Sequence, residues 1–564
     1  MSNTKRFTIF ILAVVLALSC LGLFGFVATT ARADTDRTVD IYAINDFHGA
    51  VSRMPQVAAY LAKRKSEGAI VINSGDMFQG SMESNSNFGK LLSECMDEVG
   101  FDAFTYGNHE FDWGLDNLRE LARNSATPFL GANIYNWNAN TRQWGEFADD
   151  LAREYVVKEL DNGLKVGIIG VIGKDQITSI SSQLVQTIGF KDPADIIPDL
   201  SEKLRNEKGC DVVVVSAHTG QDTFMGGGYW DITDDADAVF CAHTHRSERT
   251  EKSGVPFIQG GSYGSYVSHV KLSVDGNGNV TCDKYENISR LADVDETVYD
   301  TIQTKIDNSN AQISEQANQV LATLEGGYLN SNTAVPRLVC HAIAEFATSQ
   351  GHSIDLVMVN GARSSLQAGD VTYSNLYEAI PFDNVVYVAR VSGTDILNEA
   401  KYKDNSIWRV SGEPIENSND TYYTIAVIDY LLYHQNSNRF YNYFPSAFSR
   451  DVTAPVALTK QGETMYNYRL ITRDFLLSKG TIDASIYLDD DNVRTDKSML
   501  TESVDLPIND GDSTGGESND TIGFLREHWF IIVVAVVLVA IVLVVVIVVV
   551  VVVVVVVRAK RKKS

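Results

Sequence analysis

Gly107-Asn108-His109-Glu110-Phe111-Asp112 follows the run from Phe101 to Thr105 and sets an amide, an imidazole and two carboxylates in one short turn. Working outward, four other segments repeat the pattern. They are Asp46-Phe47-His48 after Val39 to Ile44, Gly75-Asp76 after Ala69 to Ile72, His218 after Val212 to Val215, and His243-Thr244-His245 after Ala238 to Ala242. A buried strand has no packing reason to end in such residues time after time. A centre of two metal ions about 3.5–4 Å apart does, because it needs oxygen and nitrogen ligands from several directions and one shared carboxylate. A lone Asp-x-His in a loop is ordinarily solvated, but metal ligands come in sets, and these segments form one.

The delivering runs lack the alternation of a half-solvated sheet, which fits strands covered on both faces. Each candidate ligand lies just past the carboxyl end of a strand, where α/β sheets present their sites. Helical spacing at Val57, Ala58 and Leu61 falls between two of these strands. His109 and Asp112 stand three apart, so one helical turn places both on the same side.

The order Asn45-Asp46-Phe47-His48-Gly49, Ser74-Gly75-Asp76 with Gly80-Ser81, and Gly107 to Asp112 resembles the calcineurin-like metallophosphoesterases. More narrowly, it resembles their secreted 5'-nucleotidase/UDP-sugar hydrolase branch, over roughly residues 36 to 490. The resemblance implies an α/β class fold: a metallophosphoesterase α/β/β/α sandwich and a second, α+β domain that binds substrate. It implies that Asp46, His48 and His245 hold one divalent ion, that Asn108, His218 and His243 hold another, and that Asp76 bridges them. Carboxylate, amide and imidazole ligands suit zinc, manganese, iron or cobalt. His109 and Asp112 would form a catalytic dyad, the carboxylate orienting an imidazole that serves the departing oxygen. Glu110 is read as structural. Cys241-Ala242 departs from the glycines usual beside His243 in the family.

In the second domain, Asn360-Gly361-Ala362-Arg363 resembles a shortened form of the family's Asn-Gly-Gly-x-x-Arg segment, which brings an arginine to the substrate phosphate. A guanidinium is the natural bidentate partner of phosphate. Phe382, in Pro381-Phe382-Asp383-Asn384, also matches. Of the aromatic pair that clamps a nucleobase, the first position falls near Val386 and the second on Tyr430. His434-Gln435-Asn436-Ser437-Asn438 replaces the family's ribose-holding Asn-Gly-Gly-Asp. A second arginine expected near Thr333 is absent, with Arg337 nearby but out of register.

The 564 residues exceed what a single core usually organises, and the net charge of −25 argues against nucleic acid as a partner. Six cysteines without close spacing indicate neither a zinc knuckle nor a disulfide scaffold. Lys5 and Arg6 precede an apolar stretch that ends near Ala31-Arg32-Ala33, the pattern of a signal peptide. From Phe530 to Val557 no residue is polar, long enough for a spanning helix, and basic residues from Arg558 onward favour the cytoplasmic side. The expected order is a signal peptide (1–33), a metallophosphoesterase domain (36–292), a connecting helix (293–325), a 5'-nucleotidase-like substrate domain (326–504), a stalk (505–528), a transmembrane helix (529–557) and a cytoplasmic tail (558–564). The connecting helix rests on Val298, Ile302, Ile306, Ile313, Ala317, Val320 and Leu324 recurring at three, four or seven.

Together these features lead us to expect a single-pass protein of the cell membrane with its ectodomain outside. It would be a binuclear-metal phosphoester hydrolase, a 5'-nucleotidase releasing phosphate by metal-hydroxide attack. UDP-sugars or 2',3'-cyclic nucleotides as substrates, sulfur-ester hydrolysis, and a surface adhesin on a retired enzyme scaffold stay open as alternatives. The sequence leaves oligomeric state undetermined.

Overall fold

The computed structural model describes residues 37–225, 231–436, 438–460 and 466–506. The expected signal peptide, transmembrane helix and basic tail lie outside these residues, as does the stalk beyond residue 506. Among the described residues no helix is long and apolar enough to cross a membrane.

Two six-stranded sheets form the first domain. One runs in the order Val280–Ile288, Val267–Val274, Arg37–Ile44, Ile70–Asn73, Ala103–Thr105, Phe129–Leu130. The other runs Ser247–Lys252, Val255–Gly260, Ala238–Phe240, Val212–His218, Lys165–Ile172, Tyr155–Glu159. Their ligand-bearing strands pair in parallel. Val39, Ile41, Ala43, Ile72, Val212 and Val214 meet in the layer between the sheets. The alternate residues Tyr42, Ile44 and Val71 face helices over the first sheet, while Val213 and Val215 face the helix over the second. Coverage on both faces is why these strands read as unbroken apolar runs. The expected α/β/β/α sandwich is present.

The second domain is α+β. A five-stranded sheet (Ser406–Arg409, Leu356–Val359, Tyr422–Ile428, Val386–Ser392, Val456–Ala457) and a three-stranded one (Gly369–Thr372, Val320–Glu325, Thr481–Asp483) pack with the helices Ala334–Ser349 and Tyr468–Lys479.

The connecting helix is shorter than its periodicity predicts. It spans Glu296–Ala317, capped at its start by the Asp295 carboxylate, and Val320 and Leu324 belong instead to the strand Val320–Glu325. In that strand the side chains of Leu321 and Leu324 are taken up by the second core, where burial overrides the helical spacing. The helix is anchored at both ends. Ile302 and Ile306 are buried in the first domain's core, while Ile313 and Ala317 pack against the second's. The five described cysteines are all free, and four of them are buried.

Candidate metal centre

The ligand-bearing turns of both sheets open at the same edge of the sandwich. Asp46 and His48 follow Arg37–Ile44, Asp76 follows Ile70–Asn73, and Asn108 follows Ala103–Thr105. His218 ends the strand Val212–His218, and His243 and His245 follow Ala238–Phe240. These seven residues, spread over 200 positions, come together.

Their polar atoms crowd one another in a way that hydrogen bonding does not explain. His48 Nε2 lies 2.9 Å from His245 Nε2 and 3.7 Å from Asp76 Oδ2. His245 Nε2 is 3.6 Å from Asp46 Oδ1. On the other side, Asn108 Oδ1 lies 3.2 Å from His218 Nε2 and 3.1 Å from His243 Nδ1, and His218 Nε2 is 3.2 Å from Asp76 Oδ2. Asp76 therefore stands between the two groups, as the bridging position requires.

The tautomers sharpen the point. His218 Nδ1 donates to the Ser74 carbonyl at 2.8 Å and His48 Nδ1 to the Gln79 carbonyl at 3.3 Å, so in the neutral ring each Nε2 presents a lone pair to other acceptors. A cation placed among them relieves that repulsion. Burial holds His48 below the ordinary imidazole range and brings His243 and His245 down to about 4, which favours the neutral form a metal ligand needs. For His218 burial also opposes charge, but Asp76 outweighs it and draws the group up to about 9. Asp76 thus seeks positive charge here, and the donor set fits a pair of divalent ions. Groups of candidate ligands, each with its ligand atoms within 4.8 Å of one another, form at Asp46–His48–His245 and Asp76–His218–His243.

Backbone strain marks the same turns. Asp46, His48, Asp76, His243 and His245 adopt φ of 47°, 46°, 55°, 74° and 59°, a left-handed region that persists only where surroundings over-determine it. Asp46 accepts from Asn45 Nδ2 at 2.6 Å and from the His243 amide at 2.9 Å. Gly107 is required by close approach, since a Cβ there would lie 2.2 Å from Asp76 Oδ1. Buried Glu110 ties the turns together, accepting from the Asp76, Met77 and Gly107 amides at 2.9, 2.9 and 2.7 Å. These three bonds are the ones a structural role calls for. Cys241 is buried in the core of the second sheet and leaves His243 in place against Asn108.

His109 and Asp112 meet as expected. The short 3-10 turn His109–Phe111 sets His109 Nδ1 2.8 Å from Asp112 Oδ2. Burial disfavours the imidazolium, but Asp112 and Asp76 outweigh it and raise His109 above its usual range. His109 also lies close to His48 and Asp76. Both of its ring nitrogens are engaged, Nδ1 with Asp112 and Nε2 as acceptor from Arg363 of the second domain at 3.1 Å. Phe382 stacks on His109 with ring centroids 5.5 Å apart, and the Arg363 guanidinium lies 5.1 Å from the Phe382 centroid.

The other substrate candidates are placed less decisively. Asn360 is half-buried beyond the strand Leu356–Val359 and makes no side-chain hydrogen bond among the described residues. Tyr430, on the short helix Asp429–Leu432, packs against the second core while its hydroxyl feels both Arg363 and Asp112. Arg337 points elsewhere, to the Tyr487 carbonyl and Asp490. Sequence reasoning missed Tyr263, whose ring sits 5.5 Å from His48 and 5.8 Å from His245. Its loop carries no motif that could have pointed to it.

Residues 39–247 match the calcineurin-like phosphoesterase family and residues 320–400 match the 5'-nucleotidase C-terminal domain. The chain carries a calcineurin-like phosphoesterase domain followed by a 5'-nucleotidase C-terminal domain. The matched phosphoesterase domain and its ligand set are of the metal-dependent phosphoester-hydrolase kind. The chain is 26% identical over 396 residues to Endonuclease YhcR of Bacillus subtilis (strain 168), covering 65% of this chain but only 31% of that protein. It is 25% identical to an apyrase of Tabanus yao over 64% of this chain and 72% of the apyrase. Protein UshA of Yersinia enterocolitica is 24% identical over 69% of this chain and 80% of its own length. In fold, the chain is similar to a 5'-nucleotidase precursor from Thermus thermophilus, with a TM-score of 0.62, 16% identity, and coverage of 79% of this chain and 97% of that one. The sulfate thiohydrolase SoxB of Thermus thermophilus shares the fold at a TM-score of 0.58 and 14% identity, over 79% of this chain and 95% of that one.

Proposed function

We propose that the chain is an extracytoplasmic binuclear-metal hydrolase that releases phosphate from nucleoside 5'-monophosphates. The observation that carries this reading is the hydrogen bond from Arg363 to His109, which brings a phosphate-binding guanidinium from the second domain onto the catalytic turn of the first. Relatives named 5'-nucleotidase, matching over about two-thirds of the chain, support the substrate class.

Two divalent ions bound by Asp46, His48, Asp76, Asn108, His218, His243 and His245 would supply an activated water near neutral pH and offset the charge of the phosphoryl oxygens. The protein's own residues do the rest. Arg363 exchanges His109 for a phosphoryl oxygen and fixes the substrate's approach. His109, released from Arg363 and held through its Nδ1–H by Asp112, then takes up a solvent proton at Nε2 and gives it to the leaving oxygen. Water's oxygen joins phosphorus as the ester P–O bond breaks; one of the water's protons stays with the phosphate, the other passes to solvent, and the leaving alcohol departs with the His109 proton. Phe382 keeps the imidazole plane fixed by stacking. Tyr430 offers a face for a nucleobase.

Anchoring by the apolar run Phe530 to Val557, with the ectodomain outside, belongs to the same proposal and rests on the sequence alone. The test of function is phosphate release by the purified protein across nucleoside monophosphates, UDP-sugars, 2',3'-cyclic nucleotides and a sulfate-ester control, with each metal added back. Nucleoside monophosphates should be cleaved best. A preference for any other class would replace this reading.

A further inference from the structure

A cavity of about 390 Å3 lies at the seam of the two domains, and none of its lining residues is a metal ligand. The first domain contributes Trp137, Arg142 and Gln183, and the second contributes Tyr433, Gln435 and Arg439. Trp137 and Arg142 come from the hairpin Ile134–Asn138 and Gln143–Phe147, a feature outside the two main sheets.

Both arginines reach across the seam. Arg142 Nη2 donates to the Asn438 carbonyl at 2.7 Å, and its guanidinium lies 4.5 Å from the Phe440 centroid. Arg439 donates to the Val185 carbonyl at 3.4 Å and to the Ile188 carbonyl, and it lies 4.9 Å from the Trp137 centroid. Ser182 adds a further crossing bond, to the Tyr433 carbonyl at 2.7 Å.

Charge is what sets this cavity apart. Every polar partner of the two guanidinium groups is a neutral carbonyl, neither arginine forms an ion pair among the described residues, and no acidic residue lines the cavity. In a chain with a net charge of −25, two uncompensated cations in one recess select an anion. Burial alone brings Arg439 down to about 10, as expected of a guanidinium with no anion beside it. The remaining lining suits a ring: Trp137 and Tyr433 offer flat faces, and the amides of Gln183 and Gln435 offer paired donors and acceptors. The volume falls within the range of pockets that hold a small organic ligand.

Position ties the cavity to the catalytic turn. Tyr433 caps the helix Asp429–Leu432, one turn beyond Tyr430, whose hydroxyl feels Arg363 and Asp112. Arg439 holds the strand Ile188–Phe190, whose Phe190 packs on Phe111 inside the first domain's core with ring centroids 5.5 Å apart. Tyr430 and the cavity-lining Tyr433 stand three apart, so one helical turn puts both on the same side.

We propose that the cavity binds a second phosphate-and-ring group of the same substrate, a nucleotide joined to the one whose 5'-phosphate is removed. The chain then prefers a 5'-phosphorylated dinucleotide to a lone nucleoside monophosphate. This inference rests on the phosphoester-hydrolase reading for its activity readout, though not for its binding readout. A recess of this size takes one nucleotide, so it agrees with an acidic surface unsuited to long polymers.

The test compares phosphate release by the full chain, with manganese added, from adenosine 5'-monophosphate and from 5'-phosphorylated diadenylate. Wild type should favour the dinucleotide at least tenfold in kcat/KM. Arg142→Gln should remove that preference while leaving the monophosphate unchanged, and Arg142→Lys should keep most of it. Equal kcat/KM for both substrates in wild type overturns the proposal. So does an equal loss on both in Arg142→Gln, which would make the arginine a seam contact only. Should neither compound be hydrolysed, the function reading fails separately, and tryptophan fluorescence titrated with the dinucleotide decides the site. A saturable change lost in Trp137→Phe supports the cavity, and no change overturns it.

Discussion

Arg363 Nη2 stands 3.1 Å from His109 Nε2, so a residue of the second domain occupies the ring nitrogen that Asp112 leaves free in the turn His109–Phe111 of the first. Because arginine only donates, His109 accepts here and its remaining proton lies on Nδ1, facing Asp112 at 2.8 Å. A phosphate that draws Arg363 away leaves Nε2 free to take up a proton and return it to a leaving oxygen. In the proposed reaction this contact would couple substrate arrival to the protonation of His109.

His109→Ala should lower kcat by about 10²–10⁴-fold, the usual contribution of a positioned acid. Metal content should stay at the wild-type level, because both ring nitrogens are engaged away from the ions. Parallel measurement of turnover and bound metal checks this. Loss of metal would make His109 a support for Asn108 instead.

Arg363→Ala and Tyr430→Ala should separate phosphate reading from base reading. Removing a charge-assisted phosphate contact should cost roughly 1.5–3 kcal/mol, about ten- to a hundredfold in kcat/KM, on any phosphoester. Tyr430→Ala should weaken only substrates with a base, by about 1–3 kcal/mol. A nucleoside monophosphate and p-nitrophenyl phosphate, assayed in both variants, give the comparison. Equal losses on the two substrates in Tyr430→Ala would mean that the ring only packs the core.

Glu399 carries a stability cost that depends on pH. Burial, then Asp395, raises its carboxyl to about 7, partly opposed by Asn405 Nδ2 at 3.4 Å. An acid whose folded pKa lies above its unfolded value of 4.5 binds more protons when folded, so stability falls as pH rises from about 4.5 to 7. Glu399→Gln should therefore stabilise the fold by roughly 1–3 kcal/mol at pH 8 and change little at pH 4. Thermal unfolding of both proteins at the two pH values measures this. A gain of equal size at pH 4 would contradict the ionisation argument.

Orientation has its own check. Protease added to intact cells should cut within the Asp-, Gly- and Ser-rich stretch after Asp505 and release an active fragment. Full protection of the chain would contradict the proposed outside placement of the ectodomain.

The candidate metal ligands were legible because each lies at or just past the end of a strand, and a strand covered on both faces leaves an unbroken apolar run leading to its ligand. Asp46, Asp76, Asn108, His218 and His243 all announce themselves this way. Spacing three apart likewise found the pairing of His109 with Asp112. Periodicity failed at Val320 and Leu324, where helix and strand spacing coincide over a few residues and only the second core decides between them. Contacts made by unrelated loops were out of reach. Tyr263 beside His48 and the Arg142–Asn438 seam depend on tertiary approach, and no local pattern encodes either.

Elemental analysis of the purified, active protein tests the central claim most directly. Two transition-metal ions per chain are expected in wild type, with fewer than two and no turnover in Asp76→Asn, which removes the charge between the two ligand groups. Full turnover by wild-type protein that contains no metal would contradict the account.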